Sequence, residues 1–467
     1  MVLSIWEGEM KEYDIIVIGS GAGLDILDTA VEHGRKVALI DRGPIGGTCL
    51  NVGCIPSKML IFPADRVMEI REAARLGVEA NITDIDFGAI MRRMRDVVNT
   101  DSNNIKRYLK ESKELDYYDG LGEFIDEYTL KVGDQTLRAN QIFIAAGTRP
   151  VVPPIKVLDS VEYLNNETLL QFEKTPKSMI IVGGSYIGVE FAHFFEAMGT
   201  EVTVLEMAPR LLPREEVEIS EVVEKSLKRR MKVLTSVEAE AVVSSSDGGV
   251  MLSYRHRGSG EMQQIHAEKL LLASGRRSNS DLLKVEKSGI AVDEQGFVKV
   301  DKYLETNVKG IYAVGDINGR ELFTHTAHAE AAVAAANGIH GQRQKMDYRA
   351  SPHAVFTHPQ VASVGLSEAE AAKHHIIMVG RADYRDTALG TAMMDEEGFA
   401  KIILEQNTGR ILGAHIVGPW ASVLIQEVVN AMASDGGLNQ ITAGIHIHPA
   451  LSELVIKAFS KAVSVHG

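Results

Sequence analysis

Apolar positions in this chain cluster in short runs separated by glycine turns and amphipathic stretches. The segment YDIIVIGSGAGLDILDTAVEHGRKVALIDRG has a largely apolar run at 14 to 18, glycines at 19, 21 and 23, a helical pattern to Gly34, and then VALID. That order predicts strand, tight turn, helix, strand. A second copy, SMIIVGGSYIGVEFAHFFEAMGTEVTVLE, occupies residues 178 to 206. Two such βαβ units predict two Rossmann-like dinucleotide-binding domains. Between them lie helical patterns (IMRRMRDVV, IKRYLKE) and short strands (YTLKV, QTLRANQIFIAAG), with GTRPVVPP marking a boundary. Further strands follow the second copy (KVLTSV, GVMLSYRH, KLLLASG), and GIYAVGDI at 310 to 317 reads as another strand ending in Gly-Asp. From 350 onward, HAVFTHPQVASVGLSEAEA opens a third region of strands and terminal helices. The expected class is α/β, with a C-terminal α+β domain. Residues 10–148 and 273–346 are expected to form the first domain, 149–272 the second and 347–467 the third.

A chain of 467 residues exceeds what one core organises, which agrees with two or three domains. Its net charge of −14 argues against nucleic acid and against an anionic membrane surface as partners. No run approaches the roughly 18 continuous apolar residues of a membrane span. The opening MVLSIWEGEMKEYD is too acidic, and its apolar part too short, for a signal peptide, so the cytoplasm is the expected compartment. Met10 starts a natural first strand; residues 1 to 9 read as an upstream extension or a frayed tail.

Each glycine turn is followed by an acidic residue closing the next strand, Asp41 in the first unit and Glu206 in the second. Gly19, Gly21 and Gly23, and likewise Gly183 and Gly188, let the backbone approach a pyrophosphate at a helix N-terminus, while the carboxylate accepts hydrogen bonds from ribose hydroxyls. Leu24 takes the third fingerprint position of the first unit, where it is expected to loosen helix-to-strand packing, and Ser185 replaces the middle glycine of the second. The only two cysteines lie in GGTCLNVGCIPSK, residues 46 to 58. A structural disulfide is not expected in a large cytosolic protein. A zinc site would need further ligands, and none is near in sequence. A redox-active dithiol is favoured over inert thiols or a metal site, and no metal is expected.

Taken together, GGTCLNVGCIPSK, the two dinucleotide units, AAGTRP, ASGRRSN, YAVGD and HIHPALSE resemble the flavoprotein disulfide reductases of the lipoamide dehydrogenase and glutathione reductase type. The resemblance spans residues 12 to 460. It implies FAD on the first unit, a nicotinamide dinucleotide on the second, and a C-terminal dimerisation domain. It assigns Cys54 as the flavin-proximal sulfur that forms the charge-transfer thiolate, Cys49 as the more accessible interchange thiol, and His448 as the base, with Glu453 orienting its imidazole. In relatives this histidine comes from the other subunit, so an obligate homodimer is implied. His446 falls in the same stretch but outside the catalytic slot. Lys58 and Glu190 match a pair near the flavin N5, Asp316 a ribityl-binding aspartate, and Tyr186 a side chain covering the nicotinamide pocket. The backbone amides of Ala327 and His328 match a helix start facing the flavin pyrimidine. Thr48, Gly147 and Gly275, within the matched motifs, complete the implied cofactor-binding set.

Glu206 favours NAD over NADP, because a carboxylate repels a 2′-phosphate, although Arg210 and Arg214 follow and could accommodate one. Mercuric reductases and large thioredoxin reductases need a further C-terminal thiol pair, which is lacking after His448; transhydrogenase-type relatives lack the paired cysteines. HIHPALSE and Glu206 look like lipoamide dehydrogenases, whereas GSGAGLDILD, TRPVVPP, FAHFFEAMGTEV and GPWASVLIQEVVNAM look closer to mycothione reductases, which usually prefer NADPH. The expected reaction is oxidation of dihydrolipoyl groups by NAD⁺. The alternatives are an NAD(P)H-dependent reductase of a small disulfide and, in a different class, an NADH-binding flavoprotein sensor or scaffold.

Overall fold

The computed structural model describes residues 10 to 465, so the extension or tail expected at residues 1 to 9 lies outside the described residues. The chain divides into two compact units. One comprises the residues up to Pro56, Arg92–Val151 and Gly275–Asp347; the other comprises Ser57–Met91, Val152–Ser274 and the residues from Tyr348 onward.

In the first unit the strand Met10–Ile18 pairs in parallel with Val37–Asp41 on one side and Gln135–Ile144 on the other. Leu115–Asp119 adds a parallel strand beyond Val37–Asp41, and Ile311–Ala313 pairs in parallel with Gln135–Ile144. An antiparallel hairpin of Gly122–Asp126 and Thr129–Val132 completes the sheet. Strands covered on both faces read as unbroken apolar runs rather than as alternation, which is why DIIVIG and VALID look as they do. Ile15 and Val17 enter the core on one face, while Ile16 and Ile18 enter the core on the other. The helix Gly23–Glu32 buries Ile26, Leu27 and Ala30, a spacing of three and four that matches one helical face. The patterns IMRRMRDVV and IKRYLKE lie on a single helix, Phe87–Glu111.

In the second unit four parallel strands run in the order Lys232–Leu234, Glu201–Leu205, Ser178–Val182, Lys269–Leu272. The helix Tyr186–Ala197 is buried almost all round, which accounts for the apolar VEFAHFFEA. Val237–Ser244, Val250–His256 and Met262–Ala267 form an antiparallel sheet beside it in sequence. From Pro352 the chain builds a six-stranded antiparallel sheet, and the helices Ala421–Ala433 and Glu453–Ser460 share its core through Ile425, Val428, Leu454 and Phe459. The α/β class with two Rossmann-like sheets and a C-terminal α+β region is therefore the fold adopted. Among the described residues no helix is long and apolar enough to cross a membrane.

Candidate functional site

The two glycine turns are built by the same local rules. Gly19 has φ 102° and Gly183 φ 115°, a region L side chains rarely adopt. A Cβ on Gly19 would lie 2.3 Å from the carbonyl oxygen of Ala145, and one on Gly183 would lie 2.3 Å from that of Ala273. The carboxylate of Asp41 accepts hydrogen bonds from the amides of Ser20 and Gly43, each at 2.6 Å. Glu206 does the same for Gly184 at 2.6 Å and Ala208 at 2.7 Å. Each acidic residue thus fastens its strand end to its own turn.

The two departures from the glycine pattern have physical explanations. Close helix-to-strand packing in the first unit is made by Gly23, where a Cβ would lie 3.0 Å from Val17 Cγ1, while Leu24 packs against the core; the loosening expected at Leu24 does not occur. In the second unit Gly188 makes the close approach, with a Cβ position 1.9 Å from the Gly183 carbonyl oxygen. Ser185 has φ −92°, which any residue adopts, so no glycine is required there. At Gly21 an added Cβ would meet nothing within 4 Å, which leaves the approach to the helix N-terminus open. Open backbone, a helix start and a strand-end carboxylate are the donor and acceptor set that a dinucleotide requires, so both turns fit one.

The cysteine loop rests on the first turn. The amide of Gly46 donates to Ser20 Oγ at 2.9 Å, and buried Asn51 donates to the carbonyls of Ile45 and Gly47, both at 2.9 Å. Thr48 is exposed on the short helix Gly47–Val52, and Gly53 separates that helix from Cys54–Glu72. A Cβ on Gly53 would sit 2.8 Å from the Thr48 carbonyl oxygen, so only glycine lets the chain turn back on itself here. The turn brings the two cysteines together as unbridged thiols, Cys49 half-buried and Cys54 exposed, the reverse of the accessibility expected, because Cys49 lies inside the short helix while Cys54 starts the next one. The Cys54 thiol, the Thr324 hydroxyl and the Cys54 amide all donate to the Cys49 sulfur, and the charge of His328 adds to them. Against the opposing effect of burial, they hold the Cys49 thiol at about 6. The sulfur whose thiolate the fold stabilises is Cys49.

Thr324 begins the helix Thr324–Gly338, and the amide of Ala327 donates to Phe323 O at 3.0 Å, so it is committed to the helix rather than free to face a flavin as the resemblance implies. His328, one turn after Thr324, places Nδ1 2.6 Å from Asp25 Oδ2. Asp316 accepts from Thr148 Oγ1 at 2.8 Å, and burial pushes its carboxyl up from its ordinary value. Arg276 in turn donates to Thr148 Oγ1 at 2.7 Å. Gly147 (φ 62°) and Gly275 (φ 113°) each precede one of the paired strands Thr148–Pro150 and Arg276–Ser278 that carry these contacts.

Within the second unit, Lys58 Nζ lies 2.9 and 2.8 Å from the two oxygens of Glu190 and 4.5 Å above the Phe356 ring. Glu190 is buried and also accepts from the Phe356 amide at 3.0 Å. The Tyr186 ring stacks on His353 at 5.6 Å, and His353 Nε2 is 2.7 Å from buried Glu215. His448 is largely exposed, with Nδ1 3.0 Å from Glu453 Oε1. That hydrogen bond, together with one from the Ala450 amide, holds the Glu453 carboxyl below its ordinary value. With Nδ1–H given to a carboxylate, Nε2 carries the lone pair that accepts a proton.

Three expected pairs are therefore in contact: Cys49 with Cys54, Lys58 with Glu190, and His448 with Glu453. Sequence reading missed Thr324, the Asp25–His328 pair and Phe356. The only hint of the first two was the spacing of four that puts Thr324 and His328 on one helix face.

The family model described as pyridine nucleotide-disulphide oxidoreductase matches residues 13–336, and the model of that family's dimerisation domain matches residues 351–459. Mycothione reductase of Mycobacterium tuberculosis (strain ATCC 25618 / H37Rv) is 36% identical over 468 residues, covering 96% of this chain and 99% of that protein. Dihydrolipoyl dehydrogenase of Staphylococcus aureus is 34% identical over 466 residues, covering 97% of each. The HOCl-induced flavoprotein disulfide reductase RclA from Escherichia coli has a solved structure with a TM-score of 0.84 and 30% identity, covering 96% of this chain and 99% of that one.

Proposed function

Since the chain belongs to the pyridine nucleotide-disulphide oxidoreductases, flavoprotein enzymes that use FAD and NAD(P)H, we propose that it exchanges a dithiol for a disulfide at Cys49 and Cys54, and specifically that it oxidises dihydrolipoyl groups with NAD⁺. The observation that carries this reading is the cysteine pair itself: two thiols in hydrogen-bond contact, one of them held at about 6. The first glycine turn with Asp41 and Asp316 would hold FAD, and the second turn with Glu206 would hold the nicotinamide nucleotide. When bound, the two cofactors supply a two-electron path between sulfur and nicotinamide.

The sulfur chemistry follows from the side chains. With Cys49 and Cys54 joined as a disulfide, His448 Nε2 takes the proton of one dihydrolipoyl thiol, and Glu453 stabilises the resulting imidazolium. The substrate thiolate attacks Cys49 Sγ, the Cys49–Cys54 bond breaks, and Cys54 keeps the electron pair as a thiolate. His448 passes the first proton to solvent and takes the proton of the second substrate thiol, whose sulfur attacks the substrate sulfur of the mixed disulfide and closes the lipoyl ring. Cys49 leaves as a thiolate to which the Thr324 hydroxyl and the Cys54 backbone amide donate, and a low-pKa thiol is the faster leaving group. The substrate loses two electrons and two protons; the cysteine pair gains the electrons. The matched dimerisation domain supports a homodimer, in which His448 of one chain serves Cys49 of the other.

A second reading, an NADPH-dependent reductase of a small disulfide running the same steps in reverse, is favoured by one observation. Arg210, partly exposed and four residues beyond Glu206, is placed in sequence where a guanidinium would meet a 2′-phosphate. The deciding test measures NAD⁺ and NADP⁺ reduction by dihydrolipoamide, with Cys49→Ser as control. NAD⁺-selective turnover that disappears in the variant is the expected result. Negligible turnover with dihydrolipoamide, in protein whose flavin NADH or NADPH still reduces, would remove the lipoyl assignment.

A further inference from the structure

His446, two residues before the proposed base, has no part in the chemistry above, yet it is the inward anchor of an otherwise exposed segment. From 442 to 449 every residue is exposed except His446. Ile445 is 102% exposed and Ile447 75%, while the His446 side chain is only 10% exposed. The segment lies between the helices Leu438–Thr442 and Glu453–Ser460 and has no regular secondary structure over residues 445 to 447. Such a stretch is held in place by its side chains or not at all.

Two carboxylates hold it. His446 Nε2 lies 2.8 Å from Glu427 Oε1 on the helix Ala421–Ala433, and Nδ1 lies 3.1 Å from the Gly444 carbonyl oxygen. With the ring proton on Nε2, the imidazole donates to the Glu427 carboxylate. His448 Nδ1 is held by Glu453, the first residue of the next helix. Two imidazoles two residues apart are thus tied to two different helices. The Glu453 pair fixes the tautomer and orientation of His448, whereas the Glu427 pair fixes the backbone from which His448 projects.

We propose that His446 and Glu427 are positioning residues for the sulfur half of the reaction, setting where His448 meets the cysteine pair of a second chain. The inference rests on the reading of His448 as that base. Catalysis by a placed base is sensitive to displacements of about 1 Å, which can cost on the order of a hundredfold in rate.

The test separates the two half-reactions in the FAD-loaded dimer. Rapid-mixing measurements give the rate of flavin reduction by NADH and, separately, the rate of reduction by dihydrolipoamide or, failing that substrate, by dithiothreitol. In Glu427→Ala the thiol-driven rate is expected to fall by about tenfold or more. The NADH-driven rate and the dimer mass should match those of wild type. Glu427→Gln, which keeps an acceptor for Nε2–H, should recover most of the loss. The pH–rate profile of Glu427→Ala should keep its limb at the wild-type position with a lower plateau, because the base is displaced rather than retuned; Glu453→Gln should move the limb. A thiol-driven rate in Glu427→Ala equal to wild type, an equal fall in both half-reactions, or loss of the dimer would overturn the proposal. His448→Gln is the independent control: if it leaves the thiol-driven rate intact, the reading of His448 as the base fails, whatever Glu427→Ala shows.

Discussion

A thiol with ordinary ionisation is a few per cent thiolate near neutral pH, whereas Cys49, held at about 6, is mostly thiolate there. Its reactivity should therefore rise with pH through about 6 and be level by neutrality. Alkylation of the reduced protein by iodoacetamide, followed at Cys49 as a function of pH, should show that midpoint. Thr324→Val, which deletes one donor to the sulfur, should move the midpoint upward. A midpoint in the ordinary thiol range, or one indifferent to the substitution, would show that these hydrogen bonds do not govern the sulfur. The cysteines were legible in the sequence because they are the only two and sit in one loop. Thr324 was not, since it lies 275 positions beyond Cys49 and a threonine at a helix start also reads as an ordinary cap. Phe356 over Lys58 was hidden for the same reason: proximity made by the fold leaves no trace in local spacing.

The paired βαβ units show which parts of a motif are mechanical. Gly183 combines a positive φ with a backbone oxygen 2.3 Å from where a Cβ would lie, so Gly183→Ala should cost on the order of 2 kcal/mol or more. Nucleotide affinity should fall with it. Thermal unfolding of the variant would measure the first effect, and NADH titration the second. An unchanged melting temperature would mean that the turn relaxes without cost. The glycine pattern located both turns, yet it misjudged Leu24, because the close helix-to-strand approach is made at Gly23. Strands within the parallel sheets were the easiest elements to read, being continuous apolar runs. The helix Phe87–Glu111 appeared as two separate patterns, since the polar stretch between them, NTDSNN, breaks the apolar periodicity while the backbone stays helical.

The chain carries both members of each pair that the chemistry needs, but a single copy leaves His448, Ile445 and Ile447 facing outward. Sequence motifs gave the order of the regions and the presence of a dimerisation segment. They could not show that His446 is tucked in while its neighbours project, because that depends on Glu427, 19 positions earlier. A chain lacking Cys49 still has a sound His448, and a chain lacking His448 still has a sound Cys49, so two alleles that are each inactive alone should complement one another. Co-expressing Cys49→Ser with His448→Gln in equal amounts gives mixed dimers as half the population, each with one intact site of two. About one quarter of wild-type activity should return. If none returns although mixed dimers are recovered, each chain serves itself.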